Sequence, residues 1–274
     1  MQTVGSIAHA RAVFDVLPRP LGFVPTMGAL HSGHVALVRA AREQCSALAA
    51  SVFVNPLQFG VNEDLARYPR DLEGDKEKLA AAGVDVLFAP DQATMYPDRF
   101  STYVDVGKLG STYEGAVRPE HFRGVTTVVA KLLHIVQPDV LYLGQKDAQQ
   151  TAVLRRMITD LEFPVRVAIV PTVREDDGLA MSSRNAYLNP EQRAAAPTLH
   201  RALNALLSAV VSGATKEEAI ALARAELSPI ATPDYFDLVD GATFEPLDAV
   251  RAPAFVIGAA RFGSTRLLDN LYVS

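Results

Sequence analysis

Residues 21–34 read Leu21-Gly22-Phe23-Val24-Pro25-Thr26-Met27-Gly28-Ala29-Leu30-His31-Ser32-Gly33-His34, and the fold class follows from this run. Its first four residues predict a strand, and residues 35–42 repeat apolar side chains at helical spacing and predict a helix. The glycines at 28 and 33 let the backbone turn tightly and approach a ligand closely. A strand, a glycine-containing turn and a helix in this order are common in α/β proteins.

The two histidines of this turn indicate chemistry at a phosphate. Free N–H groups at the start of a helix carry partial positive charge, and a phosphate fits there. An imidazole on the turn can donate a hydrogen bond to a phosphoryl group as its charge rises during transfer, whereas a lysine would hold its charge throughout. The alternative for a single histidine is a helix cap or a solvated side chain. The spacing of His31 and His34 lowers the odds of that alternative.

Composition excludes several classes of protein. The chain has 274 residues, of which 49% are hydrophobic and 21% charged, as in ordinary globular proteins. A net charge of -5 argues against a nucleic-acid partner. The lone Cys45 excludes an intrachain disulfide and fits a reducing compartment. The N-terminus does not resemble a signal peptide and no apolar run reaches about 18 residues, so we expect a cytoplasmic protein without a membrane span.

Apolar runs alternate with amphipathic stretches through residues 21–170, which predicts a Rossmann-like parallel sheet with helices on both faces. The predicted strands are 21–24, 50–54, 84–89, 140–144 and 165–170, and the predicted helices include 71–82, 125–136 and 148–161. Ligands of such sheets bind beyond the carboxyl ends of the strands. His31, Asn55 and Lys146 each closely follow a predicted strand, so the same edge could hold all three.

The pattern changes after Pro171. Asn189 and Pro190 predict the start of a helix that runs to about residue 211. Thr215, with Glu218 three residues later, predicts the start of a second helix. Strand-like runs follow at 235–239, 254–260 and 266–273. We therefore expect an α/β domain at residues 1–172 and a smaller α+β domain at residues 173–274.

Three further segments carry groups suited to a substrate or a nucleotide. Asn55 and Gln58 offer amides that both donate and accept, which suits a small hydroxy acid. Lys146 is a mobile positive charge for a triphosphate, and Asp147 beside it can cap a helix or hold a cation through water. The hydroxyls and arginine of residues 181–185 can wrap phosphate oxygens. Taken singly, each segment also fits a polar turn, a cap or a solvated charge.

Taken together, these segments resemble the pantothenate synthetase family of HxGH nucleotidyltransferases, which shares its adenylating core with class I aminoacyl-tRNA synthetases. The resemblance covers nearly the whole chain. It is carried by PTMG at 25–28, FVNP at 53–56, ARYPR at 66–70, HFRGV at 121–125, MSSRN at 181–185 and LDN at 268–270. HxGH alone would indicate only the superfamily, whereas the ordered set indicates the family.

The resemblance implies a ligase that joins (R)-pantoate to β-alanine in vitamin B5 and coenzyme A biosynthesis. The substrate ATP would act with Mg²⁺ through an enzyme-bound pantoyl adenylate, releasing pyrophosphate and then AMP. A homodimer is implied, with residues 1–172 binding ATP and pantoate and residues 173–274 closing over the nucleotide. Because water would destroy the mixed anhydride, we expect the loop at residues 60–64 to act as a lid.

The resemblance also assigns roles to individual residues. His34 would be the proton donor, with His31 and Lys146 as further catalytic residues. Gln58 and Gln150 would bind pantoate, and we group Asn55 with them as substrate-binding. The ATP site would consist of Met27, Gly28, Ala29, Leu30, His31, Ser32, Gly33, His34, Gly144, Gln145, Lys146, Asp147, Val173, Met181, Ser182, Ser183 and Arg184. No set of metal ligands is assigned.

Two alternatives stay open from the sequence. One is an adenylyltransferase acting on a phosphorylated acceptor, and the other is a nucleotide-binding sensor without turnover. The extra domain and the amides of Gln58 and Gln150, suited to an uncharged hydroxyl, favour the ligase. The chain departs from the family at Gln145, where glutamate is frequent, and at Leu57, where methionine is common. The first departure weakens any role for an acid there in placing Mg²⁺.

Overall fold

A computed structural model describes residues 1–60 and 63–274, without the side chain of Asp64. These residues form two compact units. The first unit comprises residues 1–144 and 153–170, and the second comprises residues 145–152 and 171–274. The short segment 145–152 thus belongs with the C-terminal part of the chain, so no single position in the sequence divides the chain into these two units. Within the part that the structure describes, no helix has the length and apolar character to cross a membrane.

The first unit is built on a parallel sheet. Its strands are β1 (Gln2–Val4), β2 (Leu21–Thr26), β3 (Ala47–Val52), β4 (Val86–Phe88), β5 (Val140–Gly144) and β6 (Arg166–Val170). They pair in parallel in the order β1-β4-β3-β2-β5-β6, which confirms the predicted fold class. The chain runs outward from β2 in one direction and later from β5 in the other, so the strand order reverses beside β2. Ligands of doubly wound sheets bind at such a reversal.

Helices cover both faces of this sheet. They are α1 (Ile7–Asp15), α2 (Ser32–Gln44), α3 (Leu72–Ala81), α4 (Gln92–Met95), α5 (Glu114–Val117), α6 (His121–Val136) and α7 (Ala148–Asp160). Side chains of β2 alternate between the two sides: Leu21 and Phe23 join the core with α1 and α6, and Val24 joins the core with α2 and α3. Burial on both faces explains why the strands are apolar runs rather than alternating patterns.

The second unit is α+β, as predicted. It contains α8 (Pro190–Ala195), α9 (Thr198–Val211), α10 (Lys216–Glu226) and the antiparallel strands β7 (Ala231–Asp240), β8 (Ala254–Phe262) and β9 (Thr265–Val273). Leu199, Leu203 and Leu206 of α9 share a core with β8. The prediction of one helix over 190–211 is wrong, because α8 and α9 are separated at Pro197, whose ring nitrogen cannot donate a helical hydrogen bond. Thr215 caps α10 together with Glu218, as predicted.

Candidate active site

The turn between β2 and α2 has an unusual backbone that its own side chains support. The hydroxyl of Thr26 donates to the carbonyl of Ser51 at 2.8 Å and accepts the N–H of Gly28 at 3.2 Å. Gly28 and Ala29 both have left-handed backbones, with φ of +84° and +52°. Ala29 carries a Cβ, so this conformation is strained and needs outside contacts to hold it.

Those contacts come from α3. The carboxylate of Asp75 accepts the N–H groups of Ala29 at 2.9 Å and Leu30 at 2.8 Å, and the ammonium of Lys78 donates to the carbonyl of Leu30 at 2.9 Å. Asp75 is only 1% exposed. A Cβ on Gly28 would lie 2.8 Å from the Asp75 carboxylate, so this approach requires glycine. Asp75 therefore fixes the turn in front of the histidines.

Sequence reasoning missed Asp75, although its position carried a clue. Leu72, Asp75 and Leu79 fall at helical spacing on one side of α3, and both Asp75 and Leu79 are buried. A carboxylate on the buried side of a helix needs hydrogen-bond donors. Nothing in the local pattern tells which donors it meets.

The two histidines cap α2 reciprocally. The Nδ1 atom of His31 accepts the N–H of Gly33 at 3.2 Å, and the Nδ1 atom of His34 accepts the N–H of His31 at 3.3 Å. The rings lie with their centroids 4.1 Å apart. Because each Nδ1 is an acceptor, a neutral imidazole here carries its proton on Nε2, which is the atom that can donate to a substrate.

This capping corrects the expectation of free N–H groups at the start of α2. The N–H groups of Ala29 and Leu30 bind Asp75, those of His31 and Gly33 bind the imidazoles, and those of His34 and Val35 bind the carbonyl of His31. Most of the backbone donors that we expected for a phosphate are thus occupied within the protein. Each neutral imidazole of the turn carries its own donor on Nε2.

The turn after β3 is fixed by Asn55, which is 1% exposed. Its Nδ2 donates to the Gln58 side chain and to the carbonyl of Gly124, both at 3.1 Å. Its Oδ1 accepts the hydroxyl of Tyr96 at 2.7 Å and the N–H of Leu57 at 3.3 Å. All donors and both acceptor positions of Asn55 are therefore used inside the protein. This arrangement suits a residue that positions Gln58 better than one that itself meets a substrate.

Gln58 connects this turn to the histidine turn. Its Nε2 lies 2.9 Å from Sδ of Met27, and its Oε1 receives Asn55. The close packing of α6 supports the same turn, because a Cβ on Gly124 would lie 2.2 Å from the carbonyl oxygen of Leu57. The first unit therefore brings Met27, His31, His34 and the Asn55–Gln58 turn to the carboxyl ends of the adjacent strands β2 and β3.

A buried cluster lies behind Gln58. The backbone carbonyl of Gln58 accepts Nδ1–H of His121 at 2.8 Å and the guanidinium of Arg118 at 3.3 Å. A second nitrogen of Arg118 lies 3.2 Å from Nε2 of His121. Burial, together with the charge of Arg118, lowers the pKa of His121 to about 4. His121 is therefore neutral at neutral pH, with its proton on Nδ1 and Nε2 as an acceptor. From the sequence, His121 belonged to a family motif and, with Arg118 and Arg123, to a group of possible cations before a helix. Its lowered pKa corrects the second interpretation.

Arg118 also forms an ion pair with Glu63, which belongs to the predicted lid. The two carboxylate oxygens of Glu63 meet two nitrogens of the guanidinium. Burial raises the pKa of Glu63, but the bonds and the charge of Arg118 outweigh it, so the pKa is lowered overall. Residues 61 and 62 of the predicted lid lie outside the described residues.

In the second unit, the predicted lysine lies in a 3-10 turn, Gln145–Asp147, directly before α7. The Lys146 ammonium lies 3.2 Å from the Asp147 carboxylate. The side chain of Asn270 on β9 donates to the carbonyls of Gln145 and Lys146. Gln150, the predicted pantoate ligand, follows on the first turn of α7.

The remaining predicted nucleotide residues belong to a hairpin and the turn that follows it. Arg174 pairs with Ala180, and the N–H of Met181 bonds to the carbonyl of Val173 at 2.9 Å. Ser182 then caps a 3-10 turn by accepting the N–H of Arg184 at 3.3 Å. The structure thus brings Val173 and Met181 together through one backbone hydrogen bond beside an isolated β-bridge.

Comparison with known proteins identifies the family. A family model described as pantoate-beta-alanine ligase matches residues 2–272. The chain belongs to the pantoate-β-alanine ligase family. It is 53% identical to the pantothenate synthetase of Chloroflexus aurantiacus over 98% of this chain and 96% of that protein. The pantothenate synthetase of Agrobacterium fabrum is 52% identical over 98% of this chain and 94% of its own length.

Solved structures of the same family share the fold. Pantothenate synthetase from Thermus thermophilus has a TM-score of 0.94 at 53% identity, with 99% of each chain covered. The pantoate-β-alanine ligase of Francisella tularensis, complexed with β-γ ATP and β-alanine, has a TM-score of 0.78 at 31% identity and covers 99% of this chain and 97% of its own. Membership of the pantoate-β-alanine ligase family confirms the predicted family and the predicted class of enzyme, a ligase.

Proposed function

We propose that the chain joins (R)-pantoate to β-alanine in two steps that consume ATP. A carboxylate oxygen of pantoate attacks the α-phosphorus, and the bond from that phosphorus to the bridging oxygen breaks, so that pyrophosphate leaves. The β-alanine amine then attacks the acyl carbon of pantoyl adenylate, the acyl C–O bond breaks, and AMP leaves with that oxygen. The relative complexed with β-γ ATP and β-alanine supports these two substrates.

The observation that carries the proposal is the orientation of the two capping imidazoles. A carboxylate that attacks an anionic phosphate meets like-charge repulsion, so donors must offset the charge in the transition state. The Nδ1 atoms of His31 and His34 are engaged by backbone N–H groups, which makes Nε2–H the donor of each neutral ring. Loss of the Nε2 proton from a neutral ring would leave an imidazolate, so we propose that His34 donates an Nε2–H hydrogen bond to the departing phosphoryl oxygens rather than transferring the proton. His31 is proposed to bind the phosphates beside it.

The substrate acid is proposed to lie against Gln58. The Asn55 amide holds the Gln58 side chain from one side, and this fixed orientation suits recognition of a hydroxyl and a carboxylate. Gln150 is proposed as the second pantoate ligand. Because the side-chain amide of Asn55 is engaged in internal hydrogen bonds, Asn55 is proposed to act through Gln58.

The proposed nucleotide ligands are the turn 27–34, Gly144–Asp147, Val173 and Met181–Arg184. Lys146 supplies a positive charge and Arg184 a guanidinium that can bind two phosphate oxygens at once. Mg²⁺ binds proteins through one or two carboxylates and substrate phosphates, and it keeps several waters. The partly exposed carboxylate of Asp147, beside Lys146, fits such a role, so we propose that Mg²⁺ enters as the ATP complex. The ion would neutralise charge on the phosphates.

A cytoplasmic location remains a prediction from the sequence, and a homodimer and closure of residues 173–274 over the nucleotide remain predictions from the family. Sedimentation of the purified chain tests the dimer directly. A sedimentation coefficient that corresponds to one chain at micromolar concentration would contradict it.

The proposed activity is tested by exchange of labelled pyrophosphate into ATP without β-alanine. We expect exchange that requires pantoate, because reversible adenylation returns label to ATP only when the acid is present. Exchange that requires a phosphorylated acceptor instead would indicate an adenylyltransferase, and binding of ATP with no exchange would indicate a sensor. Either result would contradict the proposal.

A further inference from the structure

Two consecutive residues of β9, Asp269 and Asn270, contact the Lys146 turn and Arg174, which lies on the hairpin that joins Val173 to Met181. Both side chains are buried, and Asn270 is only 2% exposed. Successive side chains of a strand point to opposite sides, so one short piece of backbone can serve two neighbours. In the sequence, these residues were notable only as part of a family motif.

Asn270 holds the Lys146 turn. Its Nδ2 donates one hydrogen bond to the carbonyl of Gln145 at 2.9 Å and another to the carbonyl of Lys146 at 2.8 Å. Its Oδ1 lies 3.4 Å from Nε2 of Gln145. Both amide protons of Asn270 are therefore used by the two backbone carbonyls that lie on either side of the Lys146 α-carbon. This pattern fixes the origin of the lysine side chain.

Asp269 holds the hairpin that leads into Met181. Its carboxylate receives both terminal nitrogens of Arg174, at 2.6 and 2.9 Å. The same guanidinium donates to the carbonyl of Gly178 at 3.0 Å and to that of Asn270 at 3.2 Å. Arg174, at the start of the hairpin, thus connects both itself and Gly178 in the turn of the hairpin to β9. The carboxylate also accepts the N–H of Asn270 at 2.8 Å.

His200 completes the surroundings of Asp269. Its Nδ1 lies 3.4 Å from the carboxylate, and Asn204 lies 3.2 Å from its Nε2. Burial raises the pKa of Asp269, but the proximity of His200 and the hydrogen bonds and charge of Arg174 outweigh this effect and lower the pKa overall. Asp269 is therefore an ionised anchor rather than a proton carrier.

We propose that Asp269 and Asn270 are positioning residues, which hold the Lys146 turn and the 173–181 hairpin in one fixed arrangement for the nucleotide. The inference rests on the proposed function, because it requires Lys146 and Met181–Arg184 to bind ATP. A lysine is a point charge on a flexible stem. Its effect on a transition state depends on where its backbone is held, and small misplacements slow the reaction strongly. The rival explanation is that these contacts only stabilise the second unit.

A double-mutant cycle separates the two explanations. Asn270→Asp keeps the size of the side chain but replaces two donors by a charge facing two carbonyls. We expect it to lower pantoate-dependent pyrophosphate exchange by about 10- to 100-fold, as for a displaced catalytic group, and to raise the KM for ATP more than that for pantoate. In a Lys146→Ala background the same change should lower exchange by less than about threefold, because coupled residues are not additive.

Controls keep the test independent of folding. Thr265→Val removes a buried hydroxyl at the other end of β9 and should leave exchange unchanged even if the Tm falls. If Asn270→Asp does not fold, Asn270→Ser, which keeps one donor, enters the same cycle. Thermal unfolding followed by circular dichroism reports the fold of every variant.

The outcomes are distinct. Equal losses in the two backgrounds, or exchange within about twofold of the parent protein for the Asn270 variant, would overturn the positioning role alone. A Lys146→Ala variant with normal exchange would contradict the proposed role of Lys146 in the reaction, and with it this inference. Reduced exchange in Lys146→Ala, with a small further effect of Asn270→Asp, would support both.

Discussion

The Nδ1 atom of His34 accepts a hydrogen bond from the backbone nitrogen of His31 across 3.3 Å, and this contact sets the tautomer of the ring. The same atom cannot also carry the proton of a neutral imidazole. The acceptor that caps the helix and the proposed hydrogen-bond donor to the phosphates are therefore two ends of one side chain. A substitution that preserves one end and removes the other can separate stability from catalysis.

His34→Asn makes this separation. The asparagine Oδ1 can replace Nδ1 as the capping acceptor, but nothing replaces Nε2–H. We expect pantoate-dependent pyrophosphate exchange to fall by about a hundredfold or more, because a transition-state donor is lost, while the Tm changes little. His34→Ala should lose both the capping acceptor and the Nε2–H donor. We expect a comparable rate defect and an additional stability loss of about 1 kcal/mol.

The exposed His9 provides the matched control, since His9→Ala removes an imidazole distant in sequence from the turn. Its exchange rate should equal that of the parent. Normal exchange in both His34 variants would contradict the assignment of His34 as the hydrogen-bond donor to the departing phosphates.

Asp75→Asn tests whether the carboxylate supports the histidine turn. Each carboxylate oxygen of Asp75 accepts one N–H group, from Ala29 or from Leu30. An asparagine has only one such oxygen, so its NH₂ group would face the second N–H group. We expect a stability loss of about 1–3 kcal/mol, measured by urea unfolding, from the unsatisfied N–H group. Exchange should fall by about tenfold or more as the turn shifts. Glu73→Gln, on the exposed side of the same helix, should change neither. Full activity in Asp75→Asn would show that the histidine turn keeps its conformation without the Asp75 carboxylate.

Gly124→Ala tests the support of Gln58. Alanine ordinarily favours a helix over glycine by about 1 kcal/mol, so a destabilised variant would reveal the clash with Leu57. Displacement of the turn should raise the KM for pantoate more than that for ATP, and Gln58→Ala should do the same. Gly5→Ala is the control, because its Cβ would lie at an ordinary 3.6 Å from the nearest atom. A defect confined to ATP in the Gln58 variant would contradict its assignment.

Acid should destabilise the protein through His121. Its pKa is about 4 in the folded protein against about 6.5 when unfolded, so between these values the unfolded chain binds the extra proton. Stability therefore falls as the pH falls, by about 2 kcal/mol from pH 7 to pH 5 for this group. Glu63 and Glu114 are the carboxylates near the ring and Arg118 the cation.

Urea unfolding at pH 7 and pH 5 measures this difference. The lowered pKa of Glu63 acts mainly below this range, because a carboxylate with a lowered pKa loses its stabilising effect only near its usual pKa and below. His121→Asn keeps a donor toward Gln58 but does not titrate, and it should lose about 2 kcal/mol less than the parent. Identical losses in the two proteins would show that His121 is not the source.

The sequence predicted the parts of the site that are local. A strand, a turn with glycines and a helix follow from residues 21–42, and the caps at Thr215 and Asn189 are readable within four residues. The parts that were missed depend on contacts distant in sequence. Asp75 meets a turn 45 residues earlier, and Asn270 meets carbonyls 124 and 125 residues earlier. No local pattern names the partner of a buried polar residue.

Two misses have simpler causes. Strand β1 has three residues and too little periodicity to be recognised. The break at Pro197 was readable, because proline removes a helical donor, but the surrounding alanines and leucines suggested continuity. The expectation of open N–H groups on α2 failed for another reason. We weighed the helix cap as an alternative to a phosphate ligand, whereas each imidazole caps the helix with Nδ1 and can still carry a donor on Nε2.

The central claim is that the pantoate carboxylate attacks the α-phosphorus of ATP. Pantoate labelled with ¹⁸O in its carboxylate tests this most directly, with mass spectrometry of AMP and pyrophosphate after one turnover with β-alanine. We predict one labelled oxygen in AMP and none in pyrophosphate, because the acyl C–O bond breaks when the amine attacks. Label in pyrophosphate or in free phosphate, with unlabelled AMP, would contradict the account.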